Sequence, residues 1–211
     1  MLTDLLPDVA PVTARRALTR DKLMHAATTV FAERGIIGAS VEEICEAAGF
    51  TRGAFYSNFA DKDDLVLALI QQGIQFQYAA AERAIGDMKN APGDLDPAQL
   101  VSRVLADFQA AGQTGREAVL TQQELMLHAA RQPSLRGPYL EFADACASQI
   151  ASLIADAMTH GKLEFTLPVP DAIEMLMAAH THMQVQSLFT GQVDVHVLHT
   201  LVMSITRPTT S

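Results

Sequence analysis

The sequence predicts an all-α protein of about nine helices, a small three-helix unit first and a larger helical part after it. Three observations carry this. Apolar residues recur three and four apart in segment after segment, and period-two alternation is rare. Glycines and prolines fall between the segments, among them Gly35, Gly49, Gly112, Gly115, Pro133, Gly161, Pro168, Pro170 and Gly191. Helix-start signals stand where segments open, as with Ser40 and Glu43 or with Thr51.

Each element follows in order. Residues 1–12, with Asp4, Pro7, Asp8 and Pro11, read as a loose tail. A first helix is expected over 19–34, with Leu23, Ala27, Val30 and Phe31 as its apolar stripe and Gly35 as its left-handed end. A second is expected over 41–48. Ser40 and Glu43 make its capping box, and Val41, Ile44 and Ala48 face inward. Gly49 permits a tight turn, and Thr51 caps a third helix over 52–58. Asp61 caps a fourth, from 62 to near 88, with Asp63 and Asp64 where the helix dipole favours acids. The NAPGDLDP stretch at 90–97 breaks the pattern. Further helices are expected over 97–112, 116–131, 135–160, 170–190 and 195–205. The expected organisation is a tail (1–12), a helix-turn-helix domain (13–62) and a larger helical domain (63–211).

Composition narrows the class. A chain of 211 residues, 49% hydrophobic, buries a proper core. No apolar run reaches the roughly 18 residues of a membrane span, and the N-terminus lacks a signal-peptide pattern. Cys45 and Cys146 each fall inside an expected helix, which points to buried thiols in a reducing cytoplasm. The net charge of −9 is uneven. Over 13–62, seven bases face six acids, and nearly all the acidic excess lies after residue 62. A near-neutral head with cations at its start suits a polyanion, and an acidic remainder would orient the molecule on it.

The stretch SVEEICEAAGFTRGAFYSNF joins two short helices by a glycine turn, the pattern of a helix-turn-helix. Its second helix would enter the major groove of double-stranded DNA. Phe55 and Phe59 are expected to point inward, against Phe31, Ile44 and Ala48, leaving Arg52, Gly53, Tyr56 and Ser57 outside. Arg52 matches the paired acceptors of guanine, Gly53 lets the backbone come close, and the Tyr56 hydroxyl can reach a phosphate. Lys62 stands at a helix start, where amides point outward toward a phosphate.

Residues 19–69 resemble the N-terminal domain of TetR-type transcriptional regulators. The resemblance rests on VFAERGIIGASVEEI and EAAGFTRGAFYSNFADKDDLVLAL, with Gly49, Gly53, Tyr56, Phe59, Lys62 and Leu65 in register. It covers about a quarter of the chain, and the remainder matches by architecture only. The resemblance implies that Ser40 and Thr51 hold phosphates, that Arg52, Gly53 and Ser57 face bases, and that Tyr56 and Lys62 grip the DNA backbone. Where family members often carry Tyr and His, this chain has Ser57 and Asn58, so both stay candidates for DNA contact. Arg15, Arg16 and Arg20 precede the expected first helix, as an arm onto DNA or as a solvated tail.

The resemblance also implies a homodimer joined by its last two helices, here DAIEMLMAAHTHMQVQSLFTG and VHVLHTLVMSI, the first of them apolar on more than one face. It implies a palindromic operator and a repressor released by a small apolar effector. The effector cavity would lie within 100–185, with Phe108, Met126, His128, Phe142, Met175, His180 and Met183 as candidate lining. No cofactor is expected, and no enzyme: nucleophile elbow, phosphate loop and His-Glu-x-x-His are all missing. Two rivals stay open. His196 and His199, three apart, could share a metal in a metal-responsive regulator. A helical interaction module without a DNA role would make Arg52 and Tyr56 dispensable.

Overall fold

The structure, a computed structural model, describes residues 14–89, 97–111, 115–161 and 163–209. Among them stand nine helices: α1 (Ala14–Gly38), α2 (Val41–Ala48), α3 (Arg52–Tyr56), α4 (Lys62–Lys89), α5 (Pro97–Ala111), α6 (Arg116–Arg131), α7 (Pro133–His160), α8 (Val169–Thr190) and α9 (His196–Ile205). The expected tail (1–12) and most of the break at 90–97 lie outside the described residues.

Local chemistry accounts for the N-terminal elements. α1 begins earlier than expected and is interrupted at Gly35 (φ 70°, ψ 161°), with one more turn reaching Gly38. The Ser40 hydroxyl accepts from the Glu43 amide at 3.2 Å, and the Glu43 carboxylate accepts from the Ser40 amide at 2.9 Å, so the capping box opens α2 as expected. Gly49 closes α2 in the left-handed conformation (φ 70°, ψ 33°). Thr51 Oγ1 caps α3 through the Ala54 amide at 3.3 Å. α3 is shorter than the expected 52–58, because the chain turns at Ser57. Asp61 Oδ1 accepts from the Asp64 amide at 2.9 Å and so caps α4.

The first core gathers Leu23, Ala27 and Phe31 of α1, Ile44 of α2, Phe55 and Phe59, and Leu65 and Val66 of α4. Phe31 and Phe55 are fully buried, and Phe59 is 1% exposed. Burying such a side chain contributes about 1.5–3 kcal/mol, so these rings seat α3. The same core continues into Leu125 and Ala129 of α6 and Leu135 of α7. A second, smaller core joins Ala81 of α4 to Cys146 and Ile150 of α7.

Two short strands were not expected. β1 (Leu163–Phe165) pairs antiparallel with β2 (Thr206–Pro208), Leu163 opposite Pro208. The Thr166 amide donates to the Ile205 carbonyl at 2.8 Å, and Arg207 pairs with Glu164 at 2.7 Å. A three-residue ladder is too short for the period-two pattern to register, and the fold remains all-α. Among the described residues, no helix is long and apolar enough to cross a membrane.

Candidate functional site

The outer face of α3 is built by the residues that its inner face excludes. Phe55 is locked inside, which leaves Arg52, Gly53, Tyr56 and Ser57 exposed. Arg52 Nη1 lies 2.6 Å from Glu42 Oε1 of α2, with both side chains more than half exposed. The guanidinium carbon stands 5.9 Å from the centre of the Tyr56 ring, which meets Phe55 edge-on at 5.3 Å. Bonding to Tyr56 and attraction to Glu42 both raise the guanidinium pKa, so its charge is secure. Gly53 has no structural need to be glycine: an added Cβ would meet only Thr51 Oγ1, at 3.7 Å.

Several expected contact residues have internal partners instead. Lys62 does not offer its ammonium outward: Nζ donates to the Ile36 carbonyl at 2.7 Å and the Ala39 carbonyl at 2.9 Å. It thus caps the carbonyl end of the broken α1, where orphan acceptors need a cation. Asn58 is 8% exposed, and its amide donates to the Ala54 carbonyl at 2.8 Å and to Ser57 Oγ at 3.3 Å, so it braces the end of α3 from inside. The Ser40 hydroxyl donates to the Glu43 carboxylate at 2.9 Å, an unsuitable neighbour for a phosphate. Thr51 and Ser57 remain exposed, although Thr51 is a cap and Ser57 Oγ donates to the Ala54 carbonyl at 2.9 Å.

The three arginines are part of α1 and do not form a separate arm. Arg16 donates to the Ser57 carbonyl at 2.8 Å, and Arg20 to the Asn58 carbonyl at 2.9 Å. The Arg20 guanidinium also lies 4.2 Å over the Phe59 ring. Two of the three therefore satisfy the carbonyls at the end of α3, and Arg15 stays exposed.

A polar seam joins this head to the rest of the molecule. Glu117, Thr121, Glu124 and His128 recur at helical spacing on one face of α6. Glu117 Oε1 accepts from the Thr29 hydroxyl at 2.8 Å, and the Thr121 hydroxyl donates to the Thr28 carbonyl at 2.9 Å. Glu124 Oε2 accepts from the Ile36 amide at 3.1 Å, and His128 Nε2 meets Asp63 Oδ1 at 2.8 Å. Sequence reasoning missed this seam. The signal was a polar stripe on a helix that also carries core residues.

A cavity of about 180 Å³ lies in the second part, walled by α4, α5, α7, β1, α8 and α9. Ala81, Ile85, Leu105, Ile154, Phe165 and Leu176 represent its apolar lining. Of the six expected lining residues whose side chains are described, only His180 is there. Burial lowers its imidazole pKa, and its Nε2 lies 3.3 Å from the Gln184 amide nitrogen. His128 belongs to the seam, Phe142 packs on the first core, and Met175 is 43% exposed. Met183 is buried but does not line the cavity, nor does half-buried Met126. The Phe108 side chain lies outside the described residues. The cavity draws mostly on alanine, leucine, isoleucine and valine, which periodicity assigns to core, and on Met158, Met177 and Phe165, which were not among the expected residues. Burial raises the thiol pKa of both Cys45 and Cys146, which keeps them protonated and poorly reactive.

Residues 23–69 match the family model of bacterial regulatory proteins, tetR family. The HTH-type transcriptional repressor KstR2 of Mycolicibacterium smegmatis is 26% identical over 120 residues, 57% of this chain and 55% of that protein. Over residues 23–69 the chain is similar to TetR-family regulators. In overall fold the chain is similar to a structure of a putative TetR-family transcriptional regulator from Mesorhizobium loti, with a TM-score of 0.70 at 19% identity, covering 90% of this chain and 96% of that one. It is also similar to FadR of Bacillus subtilis, solved with stearoyl-CoA, with a TM-score of 0.66 at 21% identity over 88% and 98% of the two chains. The chain spans about half the length of the KstR2 repressor it matches. These relatives are transcriptional regulators, not enzymes.

Proposed function

We propose that this chain is a TetR-family, ligand-responsive transcriptional regulator in the cytoplasm. As a homodimer it binds a palindromic operator, and it acts as a repressor released by a small apolar effector. The observation that carries the reading is the two-sidedness of α3. Fully buried Phe55 fixes one face, and the opposite face offers Arg52, Gly53 and Tyr56 to solvent. Such a face suits direct readout in the major groove, with Arg52 on guanine and Tyr56 on a phosphate.

A dimer is supported by apolar side chains left open on the last two helices: Met175 at 43%, Phe189 at 80% and Val197 at 48% exposure. Two-fold symmetry would present two α3 helices to half-sites about 34 Å apart. The effector site is the cavity, whose apolar lining favours an apolar molecule. α4 connects the two functions. Its far end lines the cavity at Ala81, Ala84 and Ile85, and its near end carries Lys62, which holds the head, and Asp63, which meets His128 of α6. An effector that binds one setting of α4 better than the other shifts the DNA-competent population.

The test is binding of the protein to DNA upstream of its own gene across a salt series, beside Arg52→Ala and Tyr56→Ala. Retardation of that fragment over random DNA, steep salt dependence and loss in both variants support the reading. Full retention of specific binding by both variants sinks it.

A further inference from the structure

We propose that Glu42 is a specificity-determining residue: it aims Arg52 at a guanine and penalises every other use of that side chain. The proposal rests on the reading of α3 as the base-contacting helix and adds the residue that sets its selectivity.

Glu42 sits in the first turn of α2, and Arg52 is the first residue of α3, so the 2.6 Å ion pair bridges the turn between the helices. The side chains are 55% and 62% exposed. An ion pair so exposed adds little to stability. Its cost is plain, however: it places a carboxylate on the face that is to meet a polyanion. The neighbouring acid differs, because Glu43 is used twice over, in the Ser40 cap and in a 2.6 Å pair with Arg34. Glu42 is directed at a reading residue, and that direction has two consequences.

The first is orientation. Arg52 lies between the Glu42 carboxylate and the Tyr56 ring. A guanidinium held in this way has already given up rotamer freedom, and its remaining N–H groups form a rigid fork. Such a fork matches the O6 and N7 acceptors of guanine in a way a freely turning side chain does not. The second is discrimination. A phosphate contact by Arg52 brings the Glu42 carboxylate toward the DNA backbone, whether the pair holds or parts, whereas a guanine edge carries no such charge. Non-specific binding is therefore weakened more than specific binding, the repulsive half of selectivity.

The experiment uses the full chain as wild type, Glu42→Ala, Glu42→Gln, Arg52→Ala and the double variant Glu42→Ala/Arg52→Ala. Each is used to select bound duplexes from a random-sequence pool, and each is titrated with one random duplex across a salt series. Glu42→Ala and Glu42→Gln are expected to bind the random duplex several-fold tighter, with a salt slope steeper by about one. Both should lose about tenfold of the preference for guanine at one position in each half-site. Arg52→Ala should lose preference at that same position, and the double variant should lose no more there than Arg52→Ala alone. Unchanged thermal unfolding of Glu42→Ala is expected and separates selectivity from folding. Retention of the guanine preference by Glu42→Ala, or loss at a position that Arg52→Ala does not affect, overturns the proposal. If the wild type itself enriches no sequence, the base-reading role of α3 fails, and this proposal fails with it.

Discussion

The carboxylate of Glu124 fills the space that a side chain at residue 35 would need. A Cβ added to Gly35 would stand 3.1 Å from Glu124 Oε2, at a backbone φ of 70° that side-chain-bearing residues rarely adopt. The same carboxylate accepts the Ile36 amide, so glycine here lets α6 grip the connection between α1 and α2.

Gly35→Ala is therefore expected to destabilise the protein by about 1–3 kcal/mol, the cost of a strained backbone with a crowded neighbour. Urea unfolding measures it. Adding Glu124→Ala should recover only the crowding, because the positive φ remains.

Lys62 grips the peptides that follow, through the carbonyls of Ile36 and Ala39, which are 0% and 3% exposed as residues. Lys62→Met should cost about 1.5–3 kcal/mol, the range for a hydrogen bond to a charged donor. It should also lower operator affinity by misplacing α2 and α3. Arg52→Ala offers the contrast, with affinity lost and the melting temperature unchanged. Equal stability of the two variants would contradict this division of labour.

Acid should loosen the head through Glu43. The Ser40 amide and hydroxyl hold its carboxyl below the usual range. A depressed carboxyl contributes stability that is present above its unfolded pKa and lost as pH falls through the folded value. Glu43→Gln should thus be less stable than wild type at pH 7, with the gap closing below about pH 4. Ser40→Ala, which removes the cap itself, should cost about 1 kcal/mol. Urea midpoints at two pH values test both.

His180 gives a second pH effect at milder acidity. Its folded pKa is lowered by burial. The unfolded chain therefore takes up the proton first, and stability falls as pH drops below about 6.5, until the folded value is reached. His180→Leu should lose this component, so wild type and variant should diverge between pH 7 and pH 5. Parallel curves would show that the imidazole is not held neutral.

Filling the cavity should separate sensing from DNA binding. Ala84 is 1% exposed and lines the cavity. Ala84→Phe should abolish the thermal shift produced by an apolar probe such as 1-decanol, at an overpacking cost of about 1–3 kcal/mol. Operator binding without the probe should persist. A preserved thermal shift would place the probe elsewhere.

The helices were legible because their signals are local. Ser40 with Glu43, Gly49, Thr51 and Asp61 each fix a boundary through bonds within four residues, so reading neighbours along the chain suffices. The inward turn of Phe55 and Phe59 follows from helical period in the same way, and it leaves Arg52 and Tyr56 outside.

Partners far along the chain were not legible. Lys62 meets carbonyls 26 and 23 residues earlier, and Glu124 meets an amide 88 residues away. Nothing local distinguishes a lysine reaching for a phosphate from one reaching for a carbonyl. The cavity behaves alike: its methionines and phenylalanine are Met158, Met177 and Phe165 rather than the expected ones, and Ala81, Ala84 and Ile85 of α4 join them because of how the helices pack. Periodicity and caps lay down the helices, the head and the face of α3 that stays outside, and all of these can be read along the chain. Which polar side chains are spent inside the protein depends on which helices meet and at what angle, and packing alone sets that.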